Sequence, residues 1–330
     1  LLAVGILLLP ATQYPATTWW SKPDLDREYV LSLDVEHYFG NIQKMRKHLE
    51  TDRQILWVTY YRNLYNATHP SEINSPVSLS RNLLAWNQPG TNGLILPVNP
   101  SASFLSILFA NELWFTLGDM TMAEHCAMLS MIFSPRNSGS RMIKRLAEIN
   151  LVNGDDEAAL KYLRILDKTL LHKSWAEKRI PGQQTPQVKE WLEKKRRDIP
   201  TQDQLRSGND AVTSLQNLVA SNAGNLRAYE YLLCYHLLSK DLRSFVEDYV
   251  PGKVSSPIFA EALLIHLARQ GNIRAEELIK YQIPVEIAKE FADYTRLYEA
   301  KDTSLKEKYG KTYWFYYHFA TTEPGKESKP

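Results

Sequence analysis

Asp34, Glu36 and His37 put three metal-ligating side-chain types within four residues. On a helix, positions two and three residues apart do not all share one face, so a metal site there would need ligands from elsewhere in the chain. The eight histidines are otherwise scattered. His125, His236, His266 and His318 sit in apolar helical patterns, where a satisfied core imidazole is the commoner use. The sequence contains no HExxH, CxxC, Walker, GxGxxG or GxSxG signature. The sequence therefore points to no catalytic residue, no metal ligand set and no cofactor.

The strongest candidate for a ligand or partner surface is aromatic and amide-rich: Tyr60, Tyr61, Arg62, Asn63, Asn82, Trp86, Asn87 and Gln88. Rings of this kind stack on a sugar or peptide while amides hydrogen-bond it. The same residues also suit a loop that holds itself together. Lys189, Lys194, Lys195, Arg196 and Arg197 form a basic cluster that would meet lipid headgroups or an acidic partner, yet Glu190, Glu193 and Asp198 interleave, as on a solvated helix face. Met120, Met122, Met128 and Met131 make either an adaptable surface or ordinary packing between helices. The aromatic run Tyr313 to Tyr317 either docks on a bilayer interface or caps the end of a helical array.

The elements that must carry these residues read as helices. At 330 residues the chain exceeds the usual single core, so two domains or a stacked array is expected. With 44% hydrophobic residues it has enough apolar surface to fold. Lys plus Arg number 39 against 37 Asp plus Glu, too even a balance to attract nucleic acid. Cys126 and Cys234 lie in apolar patterns and read as small buried hydrophobes rather than a disulfide.

Leu1 to Leu9 is a run of apolar or small residues, shorter than the roughly 20 that span a bilayer. The end of a membrane span, the remnant of a signal peptide and an ordinary buried segment compete, and the first is favoured because Trp19-Trp20 follows as an interfacial pair. Only Lys22 and Arg27 carry positive charge nearby, which leans toward an extracytoplasmic domain. This divides the chain into a membrane end and linker (1–20), helical hairpins with a long ordered loop at 69–102 and first repeat units (21–177), a charged insertion (178–208), C-terminal helical repeats (209–320) and a frayed tail (321–330).

Within 21–177, residues 24–53 read as two helices broken at Gly40-Asn41, and 55–65 as a third, although its aromatic and β-branched residues leave a strand open. Gly118-Asp119 aligns with Gly154-Asp155, and Ala123 with Ala159, each at a spacing of 36 residues. That is near the tetratricopeptide period of about 34. Further pairs follow at 226–250, 258–281 and 285–319. The fold expected is all-α, an α-solenoid of helix hairpins.

NLLAWNQPGTNGLILP, SGSRMIKRLAEINLVNGDDEAALKYLRILDKTLLHKSWA and TYWFYYHF together resemble a family of bacterial membrane proteins of unknown function, in which a polytopic N-terminal region precedes a helical-repeat C-terminal domain. The resemblance covers most of the chain from Asp24 and implies that Leu1 to Leu9 ends the last membrane helix. It implies no activity. The leading reading is a membrane-tethered module that binds a protein or peptide. The alternatives are the soluble accessory domain of a membrane-embedded enzyme, such as a lipid-linked glycosyltransferase, and an exported carbohydrate- or peptide-binding protein.

Overall fold

The computed structural model describes residues 24–51, 53, 55–68, 93–98, 103–133, 139–201 and 210–320. The described residues form seventeen helices and no strand, so the protein is all-α there. Leu1 to Leu9, most of the 69–102 loop with Asn82, Trp86, Asn87 and Gln88, and the 321–330 tail lie outside the described residues. No described helix is long and apolar enough to cross a membrane.

Helices α1 (Leu25–Tyr38) and α2 (Ile42–Leu49) form a hairpin. Asp24 starts it by accepting from the Arg27 amide at 3.0 Å. Helix α3 (Leu56–Thr68) resolves the strand-or-helix ambiguity in favour of helix. Every residue from Val58 to Ala67 is buried, and burial on all sides overrides the modest β preference of its Tyr and Val residues. Residues 93–98 lie against it, with Leu94 and Leu96 in the core.

Helices α4 (Phe104–Leu117) and α5 (Met120–Phe133) make one pair, and α6 (Ser140–Asn153) and α7 (Asp156–Asp167) another. Their turns share one construction. Each first helix ends at a glycine in the left-handed region, Gly118 at φ 91° and Gly154 at φ 82°. The following aspartate caps the next helix, Asp119 accepting from Met122 N at 2.8 Å and Asp155 from Ala158 N at 2.9 Å. Ala123 and Ala159, four residues on, are both fully buried.

Helices α8 (Lys173–Glu177), α9 (Pro186–Arg196), α10 (Ala211–Ser221), α11 (Leu226–Leu238), α12 (Leu242–Asp248), α13 (Pro257–Arg269), α14 (Ala275–Lys280), α15 (Val285–Glu299), α16 (Leu305–Tyr309) and α17 (Tyr313–Phe319) follow. Most helices pack on the next in sequence, while α9 turns back onto α6 and α17 onto α13. One apolar core runs from Val30 to Trp314. Residues 304–319 divide into two helices, because Thr312 opens α17 by accepting from the Phe315 amide at 3.3 Å.

Helix α9 buries Val188 and Leu192, Lys195 is partly buried, and the exposed Arg196 turns its guanidinium back onto the fold. Lys195 donates to the Phe115 carbonyl at 3.4 Å, and Arg196 to the carbonyls of Leu151 and Val152 at 2.8 and 3.0 Å. Lys189, Lys194 and Arg197 are exposed. Arg227 reaches Thr116 O at 3.0 Å and Asn225 reaches Leu117 O at 2.6 Å. The carbonyls at the end of α4, which no helical amide can meet, are thus satisfied by side chains from α9 and α11.

Candidate functional site

The site starts from a stripe on α6. Arg141, Lys144, Arg145 and Glu148 fall at relative positions 0, 3, 4 and 7, so a helix presents all four on one face. Facing them, α1 contributes Asp34, His37 and Tyr38 at 0, 3 and 4, and α4 contributes Glu112 and Phe115. Trp191 of α9 closes the side, its ring 6.3 Å from that of Phe115. These elements enclose a cleft of about 220 Å³.

Glu112 is the anchor. Its side chain is only 6% exposed, and it meets Arg145 at 2.5 Å, Arg141 at 2.9 Å and His37 Nε2 at 3.4 Å. Arg141 also pairs with Asp34, which accepts from the Tyr61 hydroxyl. Arg145 pairs with Glu148 at 3.0 Å and donates through Nε to Asn111 at 3.0 Å. Burial pushes the Glu112 carboxyl up, but Arg145, His37 and Arg141 outweigh it and hold the group well below the usual carboxylate range. The network joins three helices through groups that water scarcely reaches.

A second set of cations is held differently. Lys144 stands 4.5 Å from the Tyr38 ring centre and 5.2 Å from that of Trp175. Arg179 lies 4.1 Å over Trp175, and Lys195 lies 4.5 Å over Phe115, sharing that ring with Arg145 at 3.9 Å. Among the described residues, none of Lys144, Arg179 and Lys195 has a carboxylate ion-pair partner. The Nε atoms of Arg141 and Arg179 are buried and have no hydrogen-bond partner among the described residues. Burial, reinforced by the neighbouring Arg145 and Arg227, brings Lys195 down to about 8, and burial likewise lowers Lys144. Three cations (Arg141, Lys144, Arg145) thus line the cleft with two carboxylates (Glu112, Glu148), and Arg179 and Lys195 lie on neighbouring rings outside its lining, giving a ring-walled recess with an excess of positive charge suited to an anionic group.

The sequence-predicted surface is placed elsewhere. Tyr60 and Tyr61 are fully buried, and Arg62 and Asn63 are 4% and 1% exposed. Tyr60 donates to Phe109 O at 2.6 Å, Arg62 to Leu49 O at 3.2 Å, and Asn63 to Gly93 O at 2.9 Å. Those three tie helices and the 93–98 segment together, and Tyr61 supports the cleft from behind by donating to Asp34 and packing on the His37 ring. Asn82, Trp86, Asn87 and Gln88 lie outside the described residues. Of the acidic and histidine group on α1, Asp34 and His37 share the cleft-facing side. Among the described residues no cluster of three or more His, Cys, Asp or Glu is arranged to hold a metal ion.

The sequence reading missed Glu112 and the α6 stripe. The signal for the stripe is the 0, 3, 4, 7 spacing of Arg141, Lys144, Arg145 and Glu148, whereas Glu112 stands alone in an apolar run with no local signal.

Comparison with known proteins yields a family model described as "Family of unknown function (DUF6057)", which matches residues 1–320. No curated protein and no solved structure matches the chain.

Proposed function

Because the chain belongs to DUF6057, a family of unknown function, no activity passes to it by descent, and we propose that it is a binding scaffold whose positive cleft takes a carboxylate-bearing segment of a protein partner. The observation that carries this reading is Lys144, which lines the cleft against Tyr38 without a close ion-pair partner among the described residues, backed by Arg179 and Lys195 on neighbouring rings. Clefts for small metabolites enclose roughly 300–1,000 Å³. At about 220 Å³ the recess fits a side chain or chain end better than a whole metabolite.

An incoming carboxylate would accept from Lys144 while Lys195, on the Phe115 ring, adds positive potential and the rings of Phe115 and Trp191 screen the pair from water, which strengthens it. Arg141, Arg145 and Glu112 serve as the frame that holds α1, α4 and α6 in register. Glu148 keeps the recess from being uniformly positive and so favours a ligand with one or two acids over a polyanion such as nucleic acid. The test is fluorescence of Trp175 and Trp191 during titration with an Asp/Glu-rich octapeptide and with its Asn/Gln counterpart. Salt-sensitive binding of the acidic peptide alone supports the reading; equal response to both overturns it.

In the same proposal α4–α5 and α6–α7 are two units of a divergent tetratricopeptide-like array forming an α-solenoid, a reading supported by their matched Gly-Asp turns. Leu1 to Leu9 tethers the chain to a membrane, with the described part on the extracytoplasmic side, as the apolar run and the few nearby positive charges suggest. Flotation of the full-length protein with vesicles, resistant to high salt, is the expected outcome; recovery in the soluble fraction contradicts the tether.

A further inference from the structure

A second cleft, of about 430 Å³, lies between α13 and α15 and is closed at one end by α17. Its wall is a tier of rings. Phe291 and Tyr294 lie 16° from parallel with centres 6.3 Å apart, Tyr294 and Tyr298 18° at 6.0 Å, and Tyr298 and His318 29° at 4.5 Å. The inner two are buried, whereas Tyr298 is 41% exposed and His318 is also exposed. His318 is held by its Nδ1, 2.7 Å from the Tyr294 hydroxyl and 3.0 Å from the Trp314 carbonyl. The outer pair is therefore a rigid aromatic platform open to solvent.

We propose that this cleft binds the ring of a neutral saccharide. A pyranose presents a face of C–H groups that packs on an aromatic ring, and hydroxyls at its edge that need donors and acceptors around that ring. Tyr298 with His318 supplies the platform. Arg269 and Glu299 line the same cleft and supply a donor fork and an acceptor of opposite charge, so the cleft has no net preference for an ion. Arg269 is held in place by donating to the Tyr317 hydroxyl at 2.7 Å. Burial, together with the nearby Lys240, lowers the His318 pKa, so the platform is uncharged at neutral pH. The volume falls in the range of small-molecule sites, unlike that of the charge-lined cleft. The two proposals are independent: the sugar site uses no residue of the first cleft.

The experiment is saturation-transfer NMR on the full chain with methyl β-glucoside and cellobiose at millimolar concentration. Transfer concentrated on the ring C–H protons is expected, with affinity falling on the order of tenfold in Tyr298→Ala, as loss of one aromatic contact would cause. Arg269→Met, altering an exposed residue, is expected to weaken binding several-fold with the fold intact by circular dichroism, and provides the second variant. Absence of transfer from both saccharides overturns the inference. So does transfer unchanged in both variants, or uptake of a proline-rich peptide in preference to either sugar.

Discussion

The two clefts solve the same packing problem with opposite chemistry. Near α6, helices are joined by buried charge, with Glu112 clamped between Arg141 and Arg145 and further cations lying on Phe115, Tyr38 and Trp175. Near α17, they are joined by rings whose polar atoms serve neutral hydrogen bonds, such as Trp314 Nε1 to Glu261 O at 3.0 Å and Tyr313 OH to Leu237 O at 2.9 Å. The first arrangement is fragile at Glu112, the one carboxylate that both Arg141 and Arg145 share. The second tolerates change at its rim, because each ring contributes area rather than an irreplaceable partner.

The largest expected effect is therefore on charge. Glu112→Gln should destabilise the fold by about 3 kcal/mol, because two largely buried guanidinium groups lose their shared carboxylate while keeping only Asp34 and Glu148. Glu299→Gln, at the exposed rim of the other cleft, should stay within about 0.5 kcal/mol. Urea denaturation of both variants checks this, and equal losses would erase the distinction.

Next is Gly118→Ala, at about 3 kcal/mol, against about 1 kcal/mol for Gly154→Ala, since a left-handed backbone costs an L-residue about 1–2 kcal/mol and overpacking adds to it. Both glycines have positive φ, but a Cβ on Gly118 would come 2.2 Å from the Asp198 carbonyl oxygen, while Gly154 has open space. Displacing Asp198 would move the end of α9 with Lys195. Acidic-peptide binding should thus weaken in Gly118→Ala and persist in Gly154→Ala, as the tryptophan titration would report.

A smaller effect belongs to the aromatic end. Glu261 is buried beneath α17 and accepts from the Tyr313 amide at 2.5 Å; burial raises its pKa to about 7. The folded protein thus binds this proton more tightly than the unfolded chain. Stability from it is fully present below the ordinary glutamate range near 4.5 and is lost as pH rises through about 7. Glu261→Gln should abolish that decline and exceed wild type by about 2 kcal/mol at pH 8, as denaturation across pH 4–8 would show. The smallest change concerns Lys195, brought down to about 8. Acidic-peptide affinity should fall by about fivefold as pH rises past that value, while sugar binding stays flat.

Much of the helical content was legible because its signals are local. The spacing of Ile42, Met45 and Leu49, the Gly-Asp turns and the break at Gly40-Asn41 each act within a few residues. Helix α10 escaped notice; Asp210 opens it by accepting from the Val212 amide at 3.0 Å. The site was less legible. Glu112 sits in an apolar run, ANELWF, and what makes it an anchor is Arg141 and Arg145, some thirty residues away, together with His37 from α1. Of the basic cluster, Lys195 departs from a solvated face, and nothing nearby reveals that its partner is a carbonyl at the end of α4; Arg196 is exposed yet donates to carbonyls at the end of α6. Tyr60 to Asn63 drew attention by residue type, yet their hydrogen bonds are spent inside the fold.

The most direct test compares calorimetric titration of the full chain and of a Lys144→Ala/Lys195→Ala double variant with the acidic octapeptide at pH 7 and low salt. Neither lysine has a carboxylate ion-pair partner among the described residues, so the variant should lose only the long Lys195 contact to the Phe115 carbonyl and stay folded, as circular dichroism would verify. The account predicts binding by the wild type and its loss by at least tenfold in the variant. Equal binding by both, or none by the wild type, would contradict an anion-taking cleft.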